Sequence, residues 1–103
     1  MKVNKDVLWF NENIKPFLNG YLLSYSSFQK GDFGNLERIE VEGFEKLATV
    51  EFWSKGWVGI DIYDCALDTQ VMNVLLSPED GGSVVEAFGD FVEALTKNRG
   101  GAS

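Results

Sequence analysis

Apolar residues recur along this chain with two different periods, and the change from one to the other marks out its elements. Val7, Phe10, Ile14 and Phe17 are spaced three and four apart, which places them on one face of a helix. Asn4 is its expected N-cap, with Asp6 in the first turn where the helix dipole favours a carboxylate. Pro16 lacks an amide hydrogen and clashes with the preceding turn, so the helix is expected to kink there or to end near Lys15. Asn19-Gly20 stops it in either case. Tyr21 to Phe28 is rich in aromatics and reads as a strand, although Leu18, Leu22 and Tyr25 also fit one helical face.

From Leu36 the period becomes two. In Glu37 to Glu42, Ile39 and Val41 fall on one face and Arg38, Glu40 and Glu42 on the other. Gly43 breaks the pattern. Leu47 to Trp53 alternates again with Ala48, Val50 and Phe52 inward, and Trp57 to Tyr63 follows with Val58, Ile60 and Ile62 inward. Between them Ser54-Lys55-Gly56 predicts a three-residue hairpin loop whose glycine takes the left-handed conformation. Gln70 to Leu76 is apolar on both faces, which suits a central strand. Ser77-Pro78-Glu79-Asp80 then reads as a capping box, with Pro78 at the first helical position. Beyond it Val84, Phe88, Phe91 and Leu95 form a helical stripe, widened by Val85 and Val92. The expected fold is α+β: an antiparallel meander of four to five strands with an N-terminal and a C-terminal helix. Residues 1–97 make one domain, and 98–103 form a small, polar tail expected to fray.

Composition sharpens this. At 103 residues with 45% hydrophobic residues, the chain has enough apolar surface for one core of its own, which excludes a disordered chain. The net charge is −7. From Glu37 to Glu93 thirteen carboxylates face only Arg38, Lys46 and Lys55. Such a surface does not read nucleic-acid phosphates or anionic membranes, since both need a basic patch. It provides solubility, or attraction to a basic partner. The N-terminal stretch lacks the apolar core of a signal peptide, and no apolar run approaches the length of a membrane span. Cys65 is the only cysteine, so the chain forms no internal disulfide; a cytoplasmic protein is expected.

Candidate chemistry is sparse. The chain has no histidine, which removes the commonest general base and metal ligand. Gly81-Gly82 lacks the lysine of a phosphate loop, and no serine sits in a nucleophile elbow. Asp61, Asp64 and Asp68 do not match a calcium loop and read as turn carboxylates. Glu51 and Asp61 share a hairpin, but nothing suggests the cleft a glycosidase requires. Carboxylates near Cys65 oppose thiolate formation, so an inert, at least half-buried thiol is expected. Catalytic, metal and cofactor residues are therefore not assigned, and the chain does not read as an enzyme.

The outward face of the central hairpin is more informative. With a loop at 54–56, Trp53 faces Trp57, Glu51 faces Gly59 and Thr49 faces Asp61, and Tyr63 continues the row. Aromatic anchors among carboxylates suit an interface. The same tryptophans would be core if a helix lay over them, and the sequence leaves open which sheet face the N-terminal helix covers. The hairpin Lys46 to Tyr63, KLATVEFWSKGWVGIDIY, in a small, acidic, histidine-free α+β chain resembles the immunity proteins of bacterial toxin systems. That resemblance implies a protein that binds and neutralises a cognate toxin, often a basic nuclease. The expected contacts are Glu40, Glu42, Glu51 and Asp61 for steering and Trp53, Trp57 and Tyr63 as anchors. Two other classes fit the same face: a small-ligand or peptide-binding module, and a structural subunit with a homodimer seam.

Overall fold

The computed structural model describes residues 6–29 and 34–97. The expected cap Asn4 and the tail 98–103 lie outside the described residues. Helix α1, Val7–Asn13, is capped by Asp6, whose Oδ1 accepts the Trp9 amide at 3.0 Å. The helix ends at Ile14, whose φ of −112° leaves the helical range, and a 3-10 turn over Lys15–Phe17 carries Pro16. The helical period therefore does not run through the proline. Leu18 is buried, and Phe17, expected in the stripe, is exposed.

Five strands follow as an antiparallel meander in the order of the chain: β1 (Leu22–Phe28), β2 (Leu36–Gly43), β3 (Lys46–Trp53), β4 (Val58–Asp64) and β5 (Thr69–Leu76). The hairpin loop at 54–56 forms as expected, with Gly56 at φ +100° and the Trp53 amide donating to the Trp57 carbonyl at 3.0 Å. The β2–β3 turn is tighter. Gly43 pairs with Lys46, so Phe44 and Glu45 alone make the loop, both with positive φ (51° and 61°). Such turns favour Asn-Gly, and side chains here carry a conformational cost.

Strand β5 is an edge strand and not a central one. Its two apolar faces are unequal: Met72 and Leu76 pack on the core, whereas Val71 and Leu75 are exposed. Asp80 reaches back as the capping box requires, its Oδ2 accepting from the Ser77 amide and hydroxyl at 2.9 and 3.0 Å. This closes a 3-10 turn over Pro78–Asp80, and helix α2 runs over Gly81–Thr96. Val84, Phe88, Phe91 and Leu95 are buried as the stripe requires; Val85, expected to widen it, points to solvent.

Both helices lie on one face of the sheet. Phe52 of β3 stacks on Phe88 of α2 at 6.1 Å between ring centroids, and Phe88 meets Phe10 of α1 at 6.1 Å. These rings join Ile39, Val41, Val50, Ile60 and Ile62 in a single core. The Tyr21 hydroxyl donates to the Leu95 carbonyl at 2.5 Å, tying the entry of β1 to the last turn of α2 and pairing a carbonyl that the helix itself leaves open.

Candidate functional site

With α1 and α2 on one side, the other side of the sheet has no described element over it. Alternation decides which side chains it carries, and the strand register decides how they line up. Four rows cross this open face. Leu22, Glu42, Leu47 and Tyr63 align in one, and Ser24, Glu40, Thr49, Asp61 and Asn73 in the next. Ser26, Arg38, Glu51, Gly59 and Leu75 make the third, and Phe28, Leu36 and Trp53 the last.

The cross-strand pairs expected from the loop, Glu51 with Gly59 and Thr49 with Asp61, both occur. Trp53 and Trp57 are half-buried and sit together at one end of the hairpin. A side chain on Gly59 would begin 3.2 Å from the Trp53 ring, so the indole lies across this glycine. That packing, with the Glu51 carboxylate also at 3.5 Å, explains why Gly59 is buried on a face that no described helix or strand covers. Tyr63 lies six residues from Trp57, roughly 20 Å along the strand, so the three aromatic residues form no single cluster. Its hydroxyl donates to Asp68 in the β4–β5 turn, and that carboxylate pushes the phenol's pKa up.

The carboxylates divide as well. Glu51 is held by Arg38, whose Nη2 and Nε both reach its Oε2, at 2.7 and 2.8 Å. The Arg38 guanidinium also sits 4.9 Å above the Phe28 ring. Asp61 is raised above the ordinary carboxylate range by partial burial, then by the Glu51 charge, with Arg38 opposing. Among the described residues Glu40, Glu42 and Asp61 have no ion-pair partner. Of the four carboxylates on this face expected to steer a partner, these three carry no ion pair among the described residues, whereas Glu51 is engaged by Arg38. Asp64, by contrast, is buried and structural: it accepts the Leu67 amide at 3.0 Å and lies 3.9 Å from the Lys46 ammonium.

Sequence reasoning placed Arg38 outward but did not include it in the site, and it missed Phe28, Leu36 and Leu75. Their alternation was readable; which strands pair, and in what register, was not. Cys65, expected to be at least half-buried, is exposed because it lies in the turn after β4. Its amide donates to the Glu45 carbonyl at 2.8 Å, so the backbone rather than the thiol is anchored. Among the described residues no group of three acidic or cysteine side chains converges as a metal site. No described helix is long and apolar enough to cross a membrane. Comparison with protein-family models, curated proteins and solved structures gave no significant match to this chain.

Proposed function

We propose that the chain is a non-catalytic binding domain whose open sheet face engages a basic protein partner, and that the partner is a toxin domain it neutralises, in the manner of an immunity protein. The observation that carries the reading is the placement of both helices on one side of the sheet. It leaves half-buried tryptophans at one end of the sheet and, beyond the Arg38–Glu51 row, carboxylates that have no ion-pair partner among the described residues, on a face that no described element occupies. Glu40, Glu42 and Asp61 supply long-range attraction, which acts mainly on the association rate. Trp53 and Trp57 supply apolar area at one end of the face, which acts mainly on dissociation.

The test is to look for a basic toxin domain encoded beside this chain's gene and to express that domain with and without the chain; absence of such a gene counts against the reading. Trp53→Ala and Trp57→Ala are expected to speed dissociation by at least about tenfold. Asp61→Lys and Glu40→Lys are expected to slow association and flatten its salt dependence. Failure to neutralise, or neutralisation indifferent to these four variants, would overturn the reading.

A further inference from the structure

Among the described residues β1 and β5 each pair with a strand on one side only, and these two edges differ in a way that bears on self-association. Strand β1 (Leu-Leu-Ser-Tyr-Ser-Ser-Phe) contains no charge, no proline and no bulge. It lies inside a run from Pro16 to Gln29 without a charged residue, in a chain of net charge −7. Edges of this kind are normally blunted by charge, proline or a bulge, because unpaired amides and carbonyls template another strand. Strand β5 is blunted: its register against β4 shifts beside Ile62 and Tyr63, leaving Val71 as an extra residue. Its surroundings, Gly56 to Thr96, hold eight carboxylates and no lysine or arginine, so two copies joined there would repel.

The backbone direction at β1 follows from the ladder. The Trp53–Trp57 bond fixes which residues of β3 point toward β4, and alternation carries the assignment across β2. Leu22, Ser24, Ser26 and Phe28 then bond β2, and Leu23, Tyr25 and Ser27 aim their amides and carbonyls away from the sheet. A two-fold axis through Tyr25 sets Tyr25 against its own copy and Leu23 against Ser27, so every outward group of this strand finds a partner. The same register sets Leu22 against Phe28 and Ser24 against Ser26 on the open face. Leu22 is 73% exposed, Phe28 42% and Tyr25 46%. Strands one residue out of this register would oppose outward groups to inward ones.

We infer that β1 is a homodimerisation edge: two copies pair antiparallel through Leu22–Phe28 about Tyr25, joining two five-stranded sheets into one of ten strands. The second copy is favoured over a charged partner because the seam is neutral on both sides, and a neutral seam is where two chains of charge −7 repel least. The open faces then lie side by side, and the dimer does not depend on the reading of those faces as a toxin site. A strand pair with a few apolar contacts is a small interface, so dissociation in the micromolar range or weaker is expected, tightening with salt as the net charge is screened.

The test is sedimentation of the full chain from about 1 μM to 1 mM, a range that brackets weak association. A reversible monomer–dimer equilibrium is expected. Ser24→Lys with Ser26→Lys places like charges directly opposite and is expected to leave a monomer, as is Ser24→Glu with Ser26→Glu. Both positions are exposed, and circular dichroism checks that each variant is folded. Mixing the lysine and glutamate variants is expected to restore a dimer. In a Cys65→Ser background, Tyr25→Cys is expected to oxidise to a disulfide-linked dimer, because hydrogen-bonded antiparallel partners lie about 5.5 Å apart. A wild type monomeric at 1 mM, a dimer untouched by either charged pair, or no rescue on mixing would overturn the proposal.

Discussion

Replacing Arg38 by methionine keeps much of the side-chain stem and removes the charge, and the structure permits an estimate of the consequence. Two guanidinium nitrogens meet one Glu51 oxygen, and the side chains of Arg38 and Glu51 are 32% and 22% exposed. At about 4 Å between charge centres, the attraction is about 1 kcal/mol in bulk water and about 4 kcal/mol at the effective dielectric of a protein surface. Ordering two long side chains and solvent screening remove part of this, and fully exposed pairs retain no more than about 1 kcal/mol. A largely buried pair with two hydrogen bonds should retain roughly 1–2 kcal/mol. The cation over Phe28 adds about 0.5 kcal/mol at an exposed site. Arg38→Met is therefore expected to cost roughly 2 kcal/mol at pH 7, a fall in Tm of about 8–10 °C for a domain of this size. Urea denaturation at pH 7 in low salt and in about 1 M salt measures it. Screening weakens the attraction between the charges, so the penalty should shrink towards the contact with Phe28 as salt rises. A double-mutant cycle with Glu51→Gln should recover most of the low-salt loss as coupling. An equal penalty at both salt concentrations, or coupling below about 0.3 kcal/mol, would refute the electrostatic account and leave only packing of the stem.

Asp61 should behave oppositely. Its pKa is raised in the folded chain, chiefly by burial and then by Glu51, so the folded state holds its proton more tightly than the unfolded one. Its ionisation therefore destabilises the fold as pH rises from the ordinary carboxylate value through the raised one. Asp61→Asn should be stabilising at pH 7 and neutral below the ordinary value, and urea midpoints across that range would show it. Tyr21→Phe removes the hydroxyl on the Leu95 carbonyl and should cost about 1–2 kcal/mol; a change within error in thermal unfolding would mean that water replaces it. Glu45→Gly relieves a positive φ in the two-residue turn and should stabilise by roughly 1 kcal/mol, read as a higher Tm.

The sequence alone determined whatever depends on neighbours along the chain. Strict alternation in 37–42, 47–53 and 57–63 sorted inward from outward side chains, because a strand turns each residue to the opposite face whatever it packs against. The glycine of the 54–56 loop set the hairpin register, and with it the pairs Glu51–Gly59 and Thr49–Asp61. The stripe of α2 was legible because burial repeats with the helical period. Phe17 was misread because a proline ended that period, and β5 because apolar character on both faces does not say whether a neighbour is present on both sides.

Only the tertiary structure decided which side of the sheet the helices occupy. Either face of the meander could have received α1, and the choice rests on Phe10, Phe52, Phe88 and Phe91 meeting across separations that local pattern does not encode. That choice decides whether Trp53 and Trp57 lie under a helix or face outward. The Arg38–Glu51 pair and the place of β1 at the end of the strand order have the same origin, since each depends on which strands become neighbours. Side-chain direction is a property of a few residues, and juxtaposition is a property of the whole packed chain.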